Sequence, residues 1–236
     1  MKKRFNRLLQ SSPVIEFNFL TTAVTSFILI GLSFALYLPS LRFYLDDWPQ
    51  LYSLVVRGTE GIKTFFLFDG RPFGWWPEAA VFKVWGTNPI GWHLTNYLLR
   101  WLVGLEIWGV FSQIWQRNKR EVFWVVILFS VFPLLNQQSM GLTMITGWFC
   151  YMLFFFSLLL MVLSVKYPKH AIWILPLSLA TSGLNLFTVE YFIGIEFIRP
   201  LVLWFALRNE TKKLRTNKTI FYWLPFLALA IFYIVW

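Results

Sequence analysis

Long apolar runs separated by short polar links dominate the chain. They cover residues 17–39, 92–115, 122–135, 147–165, 171–187, 191–207 and 219–236, seven in all. A helix needs about 20 apolar residues to cross a hydrocarbon core about 30 Å thick. The fifth and sixth runs are short for that length, and only Thr188, Val189 and Glu190 separate them. They read as a tight hairpin, or as segments that dip in and return. Residues 40–90 form the one long hydrophilic interval. Within it, 48–56 and 78–85 have helix-forming composition, and Gly70, Pro72, Gly74 and Pro77 mark a turn between them. This predicts short helices lying on a membrane surface. The expected fold is an all-α polytopic membrane protein with about seven transmembrane helices. Residues 1–236 would form a single transmembrane domain, with 40–90 as a large first extracytoplasmic loop.

Composition strengthens that picture. Of 236 residues, 58% are hydrophobic, 21% aromatic and only 14% charged; lipid solvates such a surface, whereas few soluble domains hide it. The net charge of +10 would suit nucleic acid, but the placement of the basic residues argues for a membrane. Four lie in the N-terminal tail (Lys2, Lys3, Arg4, Arg7), three follow the second run (Arg117, Lys119, Arg120), two the fourth (Lys166, Lys169) and five the sixth (Arg208, Lys212, Lys213, Arg215, Lys218). Fourteen of the 21 therefore fall on one side. The positive-inside rule then puts the N-terminus in the cytoplasm and residues 40–90 outside, in a plasma (inner) membrane protein. A secretory signal also begins with basic residues. Its apolar core spans only about 7 to 15 residues, and no small-x-small cleavage site precedes the loop, so a retained helix is expected. The single cysteine, Cys150, excludes a disulfide framework or a cysteine metal cluster within one chain.

The loop is electrically balanced, with Arg42, Arg57, Lys63, Arg71 and Lys83 against Asp46, Asp47, Glu60, Asp69 and Glu78. Asp46 and Asp47 are neighbours, so their side chains are expected to point apart. Asp47 before Trp48-Pro49 reads as a helix cap; the functional reading is a carboxylate that accepts a proton from an attacking hydroxyl or holds a divalent metal. Arg71 offers a fork of donors suited to phosphate oxygens. Trp75, Trp76, Trp85 and Trp92 suit the interfacial belt as well as sugar stacking. His93 and Asn96, three residues apart, can both face the loop. With no His or Cys at ligand spacing, His93 reads as a hydrogen-bonder rather than a metal ligand. Ionisable groups inside apolar runs usually face a bundle interior or a water-filled cavity. Here they are Arg100, Glu106, Glu196 and Arg199, with Glu190 at an outer tip. Glu196 and Arg199, at i and i+3, can pair on one helical face; pairing and a substrate role both stay open.

The order of these features resembles the GT-C membrane glycosyltransferases. A basic tail and one helix lead to Asp46-Asp47-Trp48. Arg71-Pro72-Phe73 follows, and then Gly86-Thr87-Asn88-Pro89-Ile90-Gly91-Trp92-His93-Leu94-Thr95-Asn96 enters the second helix. The likeness is greatest to the bacterial relatives of the protein O-mannosyltransferases and runs from about residue 20 to 205. The resemblance implies inverting transfer of a sugar from a polyprenyl-phosphate donor to a hydroxyl of a glycan, lipid or protein acceptor. It places the catalytic acid on Asp46 or Asp47. Donor and lipid-phosphate contacts fall on Arg71, His93, Asn96, Glu190 and Arg199.

The pattern also departs from that family. Where many relatives carry His-Pro with a nearby Glu, this chain has Phe132-Pro133-Leu134-Leu135-Asn136-Gln137-Gln138. Gln137 or Gln138 replaces only the hydrogen bonds of such a Glu, which puts metal use in question. Family members usually have more helices, so the chain is expected to be the N-terminal part of a longer GT-C module. Two other classes stay open. One is a transporter or lipid-binding protein using the intramembrane charges as a relay; the other is a non-catalytic assembly subunit. The absence of a P-loop or Rossmann pattern argues against cytosolic nucleotide chemistry, and no nucleic-acid partner is expected.

Overall fold

The computed structural model describes residues 17–132 and 139–236. Among these the regular structure is helical, without a β-strand. Helix α1 (Phe19–Phe34) continues as a 3-10 turn (Ala35–Ser40). The loop follows with α2 (Asp47–Phe68) and α3 (Trp75–Trp85). Next come α4 (Pro89–Ile114), α5 (Lys119–Val131), α6 (Thr143–Lys166) and α7 (Ala171–Thr188). Two 3-10 turns (Glu190–Phe192, Gly194–Ile198) lead into α8 (Arg199–Ala206), and α9 (Lys212–Val235) closes the order.

Four helical stretches are long and apolar enough to cross a membrane: Phe19–Ser40, Thr143–Lys166, Pro168–Thr188 and Lys212–Val235. The described residues are thus all-helical, with four stretches suited to a membrane protein. The three other runs expected to span take different forms. Helix α4 has 26 residues, enough for about 39 Å, but Arg100 and Glu106 interrupt its apolar character. Helix α5 has 13 residues. The run 191–207 is not one helix: 3-10 turns carry it through Gly194 and Glu196, and only the eight residues of α8 are regular.

Local chemistry explains the loop. Helix α2 is bent at Gly58, whose φ of 63° and ψ of −150° suit a residue without a Cβ. Its C-terminus closes in a Schellman arrangement, with Arg71 N–H donating to the Phe66 carbonyl (2.9 Å) and Gly70 N–H to that of Leu67 (3.1 Å). Gly70 takes the left-handed φ of 72° that this motif requires. Asn88 caps α4 by accepting from Ile90 N–H at 3.1 Å, with Pro89 in the first turn, where its fixed φ and missing N–H are tolerated.

The bundle is joined by polar contacts as well as packing. Ser157 on α6 and Ser178 on α7 each donate to the other's backbone carbonyl, at 2.7 and 2.6 Å, the kind of glue that binds helices in lipid. Tyr97 and Trp101 of α4 reach the α1 carbonyls of Phe27 and Ala23. The basic links collect at one end, where Lys166 donates to Gln113 at 2.6 Å and lines a cleft with Arg208. Asp46, Arg71 and Glu190 lie at the other end.

Candidate functional site

A cavity of about 480 Å³ opens at that second end, walled by α2, α3, α6 and the turns after α7. Asp46, Asp69 and Arg71 line it together with Trp148, Tyr151 and Tyr191.

The two neighbouring aspartates have separate fates. Leu45 just before them is left-handed, with a φ of 47°, uncommon for a branched apolar residue. Beyond it Asp46 is exposed on the cavity, whereas Asp47 is completely buried. The Asp47 carboxylate accepts five hydrogen bonds: backbone N–H of Gly141 (2.8 Å), Leu142 (3.0 Å), Thr143 (2.9 Å) and Tyr44 (3.2 Å), and the Thr143 hydroxyl (3.1 Å). Three of these donors stand at the start of α6, where backbone N–H groups lack helical partners and a negative charge is favoured. Asp47 is therefore a cap, but for α6 rather than for its own helix. The local reading from Trp48-Pro49 is corrected in that respect: α2 begins at Asp47, and its N-cap residue Asp46 makes no side-chain capping bond.

His93 and Asn96 support the same segment from α4. Asn96 donates to the Gly141 carbonyl at 2.6 Å. His93 Nε2 donates to the Arg42 carbonyl at 3.1 Å, and its ring lies so close to Gly141 that a Cβ there would stand 3.2 Å from Nε2. Both residues line a second, small cavity of about 40 Å³; Met144 and Trp148 border this one and the larger one alike. Asp47, His93 and Asn96 thus hold the segment entering α6 against the loop.

Arg71 and Glu190, 119 residues apart, meet at the cavity. Arg71 Nε and Nη2 donate to the two Glu190 oxygens at 2.9 and 2.6 Å, and Nη2 reaches the Tyr191 hydroxyl at 3.3 Å. The hydrogen bond from Arg71 holds the Glu190 carboxyl below its ordinary range, and Glu190 in turn raises the Arg71 guanidinium. Arg199 lies elsewhere. It is fully buried with Glu196, as their spacing predicts, and donates from Nη2 to Glu196 (2.8 Å) and Ser182 (3.2 Å). Arg100 donates to the Phe132 carbonyl at 3.0 Å. These charges form separate local sets rather than a chain, which weighs against a relay.

Several cavity residues were not singled out from sequence: Gln50, Asp69, Glu78, Thr143 and Thr146. Glu78 carried one legible signal. It shares a helical face with Trp75 and Phe82 at i−3 and i+4, and that face packs inward. Among the described residues no three His, Cys, Asp or Glu side chains converge to hold a metal. The departure at Pro133 to Gln138 lies outside the described residues.

Fold and site together define a helical membrane protein with a mixed acidic, basic and aromatic cavity at the end opposite its basic links. Protein-family models, curated proteins and solved structures give no match to this chain.

Proposed function

We propose that the protein is a membrane glycosyltransferase of the GT-C type, moving a sugar from a polyprenyl-phosphate donor to an acceptor hydroxyl on the extracytoplasmic face with inversion. One observation carries the reading: an exposed carboxylate, Asp46, and a guanidinium, Arg71, share a cavity of about 480 Å³ with aromatic side chains, next to apolar helices of membrane length. A lipid-borne donor reaches such a cavity from the bilayer. Between the two aspartates, Asp46 is assigned as the base because Asp47 is committed to five hydrogen bonds.

In this mechanism Asp46 removes the acceptor hydroxyl proton as its oxygen attacks the anomeric carbon. The bond from that carbon to the phosphate oxygen breaks, and the electron pair leaves with the polyprenyl phosphate. Arg71 stabilises the charge gathering there, and Glu190 and Tyr191 hold its fork in place. The cytoplasmic placement of the basic links, which sets this cavity outside, belongs to the same proposal.

The test is release of polyprenyl phosphate by purified protein in detergent from a panel of radiolabelled polyprenyl-phosphate sugars. Loss of the base lowers turnover by about 10²- to 10⁴-fold, so Asp46→Asn is expected to fall by that much and Arg71→Ala to fall as well. Full turnover by folded Asp46→Asn protein refutes the assignment.

A further inference from the structure

The cavity holds a buried acid that neither the proton transfer nor the phosphate grip uses. Glu78, in the first turn of α3, lines the cavity and is completely buried. Its Oε1 accepts the Thr146 hydroxyl at 3.1 Å. Its Oε2 has no hydrogen-bond partner among the described residues, and none of the ion pairs among them includes it.

A second buried, unpaired anion near Asp47 would be costly, so the group keeps its proton instead. Burial first, and the charge of Asp47 in addition, hold the Glu78 acid well above the ordinary carboxylate range. The Thr146 hydroxyl also stands 3.4 Å from the Gly74 carbonyl; where it donates to Oε1, the Glu78 proton sits on Oε2, an O–H donor without a protein acceptor among the described residues.

The surroundings extend this group into a strip. Thr143 and Thr146 lie one turn apart on α6, and the Thr143 hydroxyl meets Gln50 Oε1 at 3.2 Å. Gln50, Thr143 and Thr146 line the same cavity as Glu78. The strip presents uncharged donors and acceptors side by side. Hydroxyl groups, which both donate and accept, match such a wall, whereas phosphate oxygens only accept.

We propose that Glu78, with Gln50, Thr143 and Thr146, forms the hydroxyl-recognising wall of the cavity, Glu78 Oε2 donating to a hydroxyl of a neutral sugar ring. The inference rests on the lipid-linked sugar reading above and makes Glu78 a specificity residue for the sugar rather than for the phosphate.

The experiment measures binding to the full chain in nanodiscs, using bare polyprenyl phosphate and polyprenyl phosphates bearing different hexoses and pentoses. The parent is expected to prefer at least one sugar-bearing lipid over the bare one. Leaving a buried partner unsatisfied costs binding, so Glu78→Ala is expected to weaken the sugar-bearing lipid about tenfold while binding bare polyprenyl phosphate as the parent does. Glu78→Gln keeps an N–H donor at that position and is expected to stay within about threefold of the parent. If the alanine variant fails to fold, Glu78→Met, apolar and of similar volume, is expected to show the same loss. Infrared difference spectra of the parent against Glu78→Gln should contain a protonated-carboxyl band. A Glu78→Ala or Glu78→Met variant that keeps the sugar preference, or an ionised Glu78 at neutral pH, overturns this inference and leaves the transferase reading standing. A parent that binds neither kind of lipid overturns both.

Discussion

Two arginine–glutamate pairs of the same chemistry stand in opposite surroundings. Arg199 and Glu196 are three residues apart, with side chains 0% and 3% exposed; Ser182 bonds to both, the rings of Phe154 and Phe226 flank the guanidinium, and Arg199 Nη1 is left without a hydrogen-bond partner among the described residues. Arg71 and Glu190 come from distant parts of the chain and are 23% and 40% exposed; Arg71 lines the cavity, with Tyr191 at 3.3 Å and Asp69 at 4.0 Å from its guanidinium. The enclosed pair is sealed from solvent and takes its hydrogen bonds from protein groups, so it acts as structure. The open pair can exchange partners with a ligand at small cost, because water already screens it. A charge inside a membrane bundle is therefore a weak guide to function until its partners are known.

The largest effect is expected where that comparison is broken from the enclosed side. Arg199→Ala leaves Glu196 buried without its partner, which typically costs about 3–5 kcal/mol, and thermal unfolding in detergent should show a large drop in melting temperature. Replacing both residues by leucine should recover much of the loss, since no unpaired charge remains. Next comes Asp47→Asn, which weakens the cap on α6. Each buried donor left unsatisfied costs about 1–3 kcal/mol, so destabilisation should come with faster hydrogen exchange at Gly141, Leu142 and Thr143.

A smaller, pH-dependent effect sharpens the open side. The folded-state pKa of Glu190 is depressed by Arg71. Its contribution is therefore present above the ordinary carboxylate pKa and is lost as pH falls through the lower folded value. Protection from hydrogen exchange in the segments around Arg71 and Glu190, taken relative to the intrinsic rate at each pH, should fall in acid. Glu190→Gln should show that loss of protection already at neutral pH, with little further response to acid.

The helical class, the turn at Gly70 and the sharing of one end by the basic links were legible because each rests on local pattern. The i, i+3 spacing also anticipated the pairing of Glu196 with Arg199. What the sequence hid depends on distant partners. Apart from Tyr44 N–H, the donors of Asp47 lie at 141–143, 94 to 96 residues away, and nothing near Asp47 reveals them. Similarly, apolarity alone made 191–207 look like a span, whereas Gly194, the buried Glu196 and Pro200 accompany 3-10 turns and a short helix. Glu78 was counted among the loop charges because burial, which changes its chemistry, depends on packing of α3 against α6.

The central claim divides labour between adjacent residues: Asp46 acts and Asp47 holds. The most direct measurement is melting temperature and polyprenyl-phosphate release on the same preparation of Asp46→Asn protein. An exposed substitution changes stability by no more than about 0.5 kcal/mol, so the variant should melt with the parent and yet lose turnover. Parental turnover from that folded variant would contradict the account.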